Sequence, residues 1–230
     1  MLIVIGLDGA TWDIIKPNLG VLPTFKKLLA DYPHSVLECV VRPVHSAPSW
    51  TTIFSGLLPN EHGITYFVMD ETQRKELVEK DFFIWNQVKR AVVMGVPIAL
   101  PPLNCNYELR DWEPVVLSVT EEEMFESTRK LLADTISAIQ YSEADFIAVV
   151  FSEPDRVQHV FWHKPEIVLN HYKNIDQALS KLLPFLQNKD FLILSDHGFT
   201  NAEETRKNNW DNVRSNQTGG HHPNGIAISN

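Results

Sequence analysis

Phe146-Ile147-Ala148-Val149-Val150-Phe151 runs without a polar residue straight into Ser152-Glu153-Pro154-Asp155-Arg156-Val157-Gln158-His159. A strand that is apolar at every position, rather than at every second one, is covered on both faces, and that points to a largely parallel sheet. The same kind of run recurs along the chain, at Leu2 to Leu7, Val36 to Val41, Ala91 to Val96, Val115 to Leu117, Phe191 to Leu194 and Ile226 to Ile228. Between these runs lie stretches with helical spacing. Pro23 to Tyr32 places Phe25, Leu28 and Leu29 on one side, and Glu166 to Leu186 carries Ile167, Val168, Tyr172, Ile175, Leu179 and Leu182. Glu121 to Ile139 opens with Thr120 as cap and three glutamates in its first turn, as the helix dipole favours. Strands alternating with helices specify an α/β fold: a mostly parallel central sheet flanked by helices on both faces.

In open sheets of this kind, functional residues gather beyond the carboxyl ends of the strands. Four such places carry metal-binding chemistry. Gly6-Leu7-Asp8-Gly9 follows the first strand. Asp155 and His159 follow Phe151 at a spacing of four, which shares one face if the segment is helical. Ser195-Asp196-His197-Gly198 follows Leu194, where a turn eased by Gly198 lets adjacent Asp and His side chains converge. Gly220-His221-His222-Pro223 precedes the last strand. Each of these alone is common as a cap, turn or surface pair; together they form a cluster of carboxylates and imidazoles. Zinc accepts this mixture of donors, and manganese also does.

The second apolar run leads into Arg42-Pro43-Val44-His45-Ser46-Ala47-Pro48-Ser49-Trp50-Thr51-Thr52, which enters a short helix. A hydroxyl at a helix N-terminus sits where an anion is held, and a bound metal activates such an oxygen as nucleophile. By position alone Ser46, Ser49, Thr51 and Thr52 compete, with N-capping as the other role open to Ser46 or Ser49.

These segments together resemble the alkaline phosphatase superfamily, in the branch of type I phosphodiesterases and nucleotide pyrophosphatases. The resemblance rests on Gly6 to Gly9, Ser46 to Thr52 with Ser55-Gly56-Leu57-Leu58-Pro59, His62-Gly63-Ile64, Glu153-Pro154-Asp155 with His159, Ser195 to Phe199, and His221 with Pro223 and Gly225-Ile226, in the family's order. It implies two divalent metal ions. Asp155, His159 and His221 would hold the first; Asp8, Asp196, His197 and the nucleophile, which falls on Ser46, would hold the second. His221 is preferred to His222 because it lies two residues before the proline. The resemblance also implies a donor to the phosphoryl oxygen, for which Ser49 is the nearest polar residue. The activity implied is hydrolysis of a small phosphate ester, a diester or nucleotide pyrophosphate, through a phosphoseryl intermediate. Monoesterase or phosphonate hydrolase chemistry on the same site is the alternative, and a non-catalytic metal-binding domain is another. The sulfatase pattern fails at Trp50, where an arginine is required. A phosphoglycerate mutase would need a large inserted domain.

The remaining histidines and Arg156 are read more plainly. His62 is expected to hydrogen-bond a turn, His45 and Arg156 to be solvated or to support the site rather than reach the substrate, and His34, His163 and His171 to lie on the surface or in the core. The tryptophans are expected in the core.

With 230 residues, 44% hydrophobic and 21% charged, the chain reads as one catalytic domain over 1–230. The irregular stretch at about 65–115, with Thr65 to Lys80 and Pro97 to Pro102, is expected to form a reduced cap. Family members usually continue beyond the position of Ser229-Asn230. A net charge of −9 and the lack of a basic stripe argue against a nucleic-acid polymer as partner. Cys39 and Cys105 form no Cys-x-x-Cys motif. Met1 meets Leu2-Ile3-Val4-Ile5 with no basic region before it, and that apolar run is too short to span a membrane, so a cytoplasmic location is expected.

Overall fold

A computed structural model describes residues 1–67, 72, 76, 81–98, 108–110 and 120–230. In chain order its elements are β1 (Leu2–Leu7), α1 (Trp12–Ile15), α2 (Pro23–Asp31), β2 (His34–Glu38), α3 (Ser46–Ser55), α4 (Pro59–His62), β3 (Ala91–Met94) and β4 (Glu108–Arg110). They continue with α5 (Glu121–Tyr141), β5 (Phe146–Phe151), α6 (Glu153–Phe161), α7 (Pro165–Leu186), β6 (Asp190–Leu194), β7 (Gly198–Asn201), α8 (Ala202–Asn208), β8 (Gly219–His222) and β9 (Asn224–Ser229).

Among the described residues seven strands form one sheet in the order β2-β9-β6-β1-β5-β3-β4. β1 lies in the middle, parallel to β5 on one side and to β6 on the other. β9 runs antiparallel to both β6 and β2. Alternation along the central strands explains their continuous apolar reading. Ile3, Ile5, Leu7, Ile147, Val149 and Phe151 join the core beneath α2, α5 and α7, whereas Val4, Ala148 and Val150 pack with Trp50 and Phe54 of α3 on the opposite face. Both faces are covered, so neither has polar positions to spare.

Helix starts follow the local sequence. Thr120 Oγ1 accepts a hydrogen bond from Glu123 N at 3.3 Å while Glu123 Oε2 accepts from Thr120 N at 2.7 Å, a reciprocal cap that opens α5. α3 is capped by His45, whose Nδ1 accepts from Ala47 N at 3.3 Å, and it ends at Gly56 with φ of 72°. Neither Ser46 nor Ser49 is the cap.

The expected strand over Val36 to Val41 is displaced. β2 covers His34–Glu38 and is an edge strand, with Val36 53% exposed, so that run is not a buried core strand. The expected strand at Val115 to Leu117 lies outside the described residues, as does most of the stretch expected to form a cap. Among the described residues no helix is long and apolar enough to cross a membrane.

Candidate dinuclear metal site

The carboxyl ends of β1, β5 and β6 lie side by side, and each delivers an acid just beyond its last strand residue: Asp8, Asp155 one turn into α6, and Asp196. Buried hydrogen bonds hold these ends in register. Ser195 Oγ donates to Ala10 O at 2.9 Å and accepts from Ile226 N at 2.8 Å, linking the ends of β6, β1 and β9. Gln158 Nε2 donates to Gly9 O, Tyr172 OH donates to Gln158 Oε1, and Thr11 N donates to Tyr172 OH, which ties the loop after β1 to α6 and α7. Trp50 Nε1 donates to Asp8 Oδ2 at 3.3 Å.

His221 arrives by a separate route, the two-stranded β7–β8 sheet, in which Phe199 pairs with His221. Its ring centroid is 4.0 Å from that of His197. Gly198 serves this approach through space rather than through an unusual turn. A Cβ there would stand 2.0 Å from Asn224 O, so only glycine lets β7 pass so close to β9.

Two groups of three ligands result. Asp155, His159 and His221 form one, and Asp8, Asp196 and His197 the other, the donor atoms within each lying no more than 4.8 Å apart. Asp155 Oδ1 is 3.3 Å from His159 Nε2, 3.3 Å from His221 Nε2 and 4.0 Å from His197 Nε2, so it stands between the groups. In the second group His197 Nε2 is 3.6 Å from Asp8 Oδ1 and 3.4 Å from Asp196 Oδ2. Ser46, the first residue of α3, places Oγ 3.3 Å from Asp8 Oδ1 and 3.2 Å from His197 Nε2. All six ligands and Ser46 are buried.

Electrostatics argue that the groups are built for cations. Burial, with Asp155 close by, pushes Asp8 up to about 7. Burial and then Asp8 push Asp196 well above the usual carboxylate range. Burial also acts upward on Asp155, but the imidazoles of His159 and His221 outweigh it and hold Asp155 well below that range. Burial brings His197 down to about 3, with His221 adding to the effect. For His221 burial acts downward, yet Asp155 and Asp211 prevail and raise it well above an ordinary imidazole. Asp155 Oδ1 and Asp196 Oδ2 are buried without a hydrogen-bond partner. Two nitrogens, His159 Nε2 and His221 Nε2, face each other at 3.0 Å. Orphaned carboxyl oxygens beside converging imidazole nitrogens suit bound divalent metal, and each set of three protein ligands leaves room for a further ligand.

The first group opens into a cavity of about 300 Å³ lined by Ser46, Asp155, His159 and His221 together with His45, Tyr66, Phe67, Asp211, Arg214 and Gln217 among others. Sequence reasoning missed Asp211 and Gln217. Asp211 Oδ2 lies 3.0 Å from His221 Nδ1, and Gln217 Nε2 lies 2.9 Å from His159 Nδ1. Ser49 is not brought to the cavity: its hydroxyl donates to His45 O at 2.8 Å and contacts Cys39 Sγ. His222 points elsewhere, its Nδ1 accepting from Asn224 N at 3.0 Å. His62 Nδ1 accepts from Ile64 N at 2.9 Å in its turn. His45 caps α3 and lines the cavity, while Arg156 is buried beside a separate hollow under α5. His171 is a core histidine, its Nδ1 2.6 Å from Glu153 Oε1.

A family model described as type I phosphodiesterase / nucleotide pyrophosphatase matches residues 2–228. The chain belongs to this family. No curated protein matches by sequence. Among solved structures, murine ectonucleotide pyrophosphatase / phosphodiesterase 5, in an inactive form with AMP, superimposes with a TM-score of 0.62 at 17% identity, covering 87% of this chain and 57% of that one. Its human counterpart gives 0.57 at 18% identity over 89% and 59%. Phosphonoacetate hydrolase from Sinorhizobium meliloti 1021, in complex with phosphonoformate, gives 0.59 at 16% identity over 86% and 56%. At such identities the likeness is one of fold, and the phosphodiesterase-family chain described here spans under three fifths of each neighbour's length.

Proposed function

We infer that the protein hydrolyses a small phosphate ester, a phosphodiester or nucleotide pyrophosphate, with Ser46 as the nucleophile and two divalent metal ions, zinc being the favoured identity, held by Asp155, His159 and His221 and by Asp8, Asp196 and His197. One observation carries this reading. Ser46 Oγ lies within 3.3 Å of two members of one ligand group and lines the same cavity as all three members of the other. A hydroxyl beside two cation sites suits an in-line displacement at phosphorus in which the attacking and leaving oxygens are both stabilised. When bound, the metal ions would supply Lewis-acid stabilisation of the attacking and leaving oxygens.

The chain's own residues account for the rest. Ser46 donates its hydroxyl hydrogen bond to Asp8 Oδ1, which aims the oxygen and offers a first acceptor for its proton. The N-terminus of the ten-residue α3 favours the negative charge that develops on Ser46 Oγ during attack. Oγ attacks phosphorus, the phosphoseryl ester forms, and the first alcohol or phosphate departs into the cavity. Water then cleaves the ester and restores Ser46. Family membership and the AMP held by the murine structural neighbour support a nucleotide-sized substrate. Among the described residues the lining carries one arginine, Arg214, alongside the histidines, which fits the single negative charge of a diester better than a monoester dianion.

The test pairs metal analysis with turnover of bis-p-nitrophenyl phosphate, p-nitrophenyl phosphate and phosphonoacetate. Two metal ions per chain, preference for the diester, and loss of turnover with retained metal in Ser46→Ala are the expected results. Turnover indifferent to Ser46 would remove the nucleophile. Metal without turnover of any ester would favour the non-catalytic alternative.

A further inference from the structure

Two of the three imidazoles in the ligand groups are braced by one loop outside the main sheet. Residues 209–218 connect α8 to β8 and reach His221 through Asp211 and His159 through Gln217. The loop is anchored next to those rings. Trp210 O accepts from Val44 N at 2.6 Å, and Thr218 donates from N to His159 O and from Oγ1 to Val160 O, both at 2.9 Å. Asp211 is further fixed by Asn212 N, which donates to its Oδ1 at 2.6 Å. His197 is held differently, its Nδ1 sitting 2.9 Å from Gly198 O rather than against a side chain of this loop.

We propose that Asp211 and Gln217 are positioning residues for the Asp155–His159–His221 metal site alone, so that the 209–218 loop sets the affinity of that site independently of the Asp8–Asp196–His197 site. This rests on the metal-dependent reading above. A neutral imidazole that binds a cation through Nε2 carries its remaining proton on Nδ1, and an acceptor there fixes both tautomer and ring orientation. For His221 that nitrogen meets Val44 O at 2.9 Å as well as Asp211 Oδ2 at 3.0 Å. The carbonyl alone could accept the proton, so what Asp211 adds is negative charge, which makes the ring a stronger donor to a cation. For His159 the amide of Gln217 turns its nitrogen toward Nδ1 while Oε1 accepts from Arg214 N at 2.6 Å. That pairing puts the His159 proton on Nε2. Turning the amide over presents Oε1 to an Nδ1–H instead and leaves Nε2 free as a ligand, at the cost of the Arg214 hydrogen bond.

Zinc titration of the metal-free chain against a chromophoric chelator, with thermal unfolding of the same metal-free samples, tests the assignment. Wild type is expected to bind zinc in two steps. Asp211→Ala and Gln217→Leu should weaken one step by about 10- to 100-fold, the usual weight of such outer partners, and leave the other step unmoved, while the metal-free melting temperature falls only by the ion pair or hydrogen bond removed. Asp211→Asn, which keeps an acceptor oxygen without the charge, should recover part of the loss. Gln217→Glu, which offers only acceptor oxygens, should bind at least as tightly as wild type. Both steps unchanged in the Ala and Leu variants would overturn the proposal. Both steps weakened together would also overturn it by showing a merely structural loop. Wild type that binds no zinc would remove the metal reading itself, an outcome recognisable without any variant.

Discussion

Trp50 Nε1 donates to Asp8 Oδ2 across 3.3 Å, so the helix that begins with Ser46 also holds the carboxylate beneath it. The indole is fully buried, and its contact makes it part of the site as well as of the core. Removing the donor leaves a buried carboxylate oxygen short of a partner, a defect of about 1–3 kcal/mol. The lost bond also lets Asp8 titrate still higher, because that bond acts to lower it. Trp50→Phe is therefore expected to cut kcat/KM for bis-p-nitrophenyl phosphate about tenfold, the equivalent of ~1.4 kcal/mol. Steady-state kinetics at saturating zinc check this, and wild-type kinetics in the variant would show that the contact is incidental.

Gly6 is the reason the indole can lie so close to the sheet. A Cβ at that position would meet Trp50 Cη2 at 2.5 Å and Val150 Cγ2 at 2.7 Å. Gly6→Ala should destabilise the fold by about 1–3 kcal/mol, the range for overpacking a tight core. The clash is mostly with the six-membered half of the indole, so Trp50→Phe should relieve it. Denaturant unfolding of the two single variants and the double variant tests the coupling: the cost of Gly6→Ala is expected to be smaller in the Phe background. Additive costs would place the strain elsewhere.

Much of this arrangement was legible in the sequence, for a physical reason. Leu2–Leu7 and Phe146–Phe151 are covered on both faces, so their strands read as unbroken apolar runs with sharp ends, and the acids just beyond those ends stand out. The same signal misled at Val36 to Val41, because an apolar run on an edge strand looks like one in the centre. β7 and β8 went unread, since four-residue strands such as Gly198–Asn201 and Gly219–His222 are too short and too rich in glycine and polar residues to show a period. Asp211 and Gln217 carry no local pattern. Their roles arise from contacts to His221 and His159, ten and 58 positions away, that only the folded chain creates.

Adjacent histidines give a sharp contrast. His221 Nε2 faces Asp155, whereas His222 caps the turn to Asn224 and meets Trp210 edge-on at 4.5 Å. His221→Ala should lose one of two bound metal ions and nearly all diesterase turnover. His222→Ala should keep both ions and lose no more than a hydrogen bond's worth of stability, about 1 kcal/mol. Metal stoichiometry by elemental analysis distinguishes them, and equal loss in both variants would mean that either imidazole can serve.

Metal removal should also reverse the way stability responds to pH. Asp8, raised to about 7, with Asp196 and His221, both raised well above their ordinary ranges, keep protons in the fold that the unfolded chain has already released. Stability contributed in this way is fully present below the unfolded-state values and is lost as pH rises through the folded-state ones. His197, lowered to about 3, and Asp155, also lowered, act in the opposite sense, but only below about pH 6.5, where the unfolded imidazole or carboxylate still takes up protons. Between pH 7 and 8.5 the first three act without opposition from these two, so the EDTA-treated protein should melt at a lower temperature at pH 8.5 than at pH 7. Zinc competes with those same protons and binds more tightly as they leave, so its stabilisation should grow over the same interval. The gap between zinc-loaded and metal-free melting temperatures is thus expected to widen with pH. Scanning calorimetry at the two pH values, with zinc and with EDTA, measures it, and a metal-free protein that grows more stable toward pH 8.5 would contradict the protonation states assigned to these buried groups.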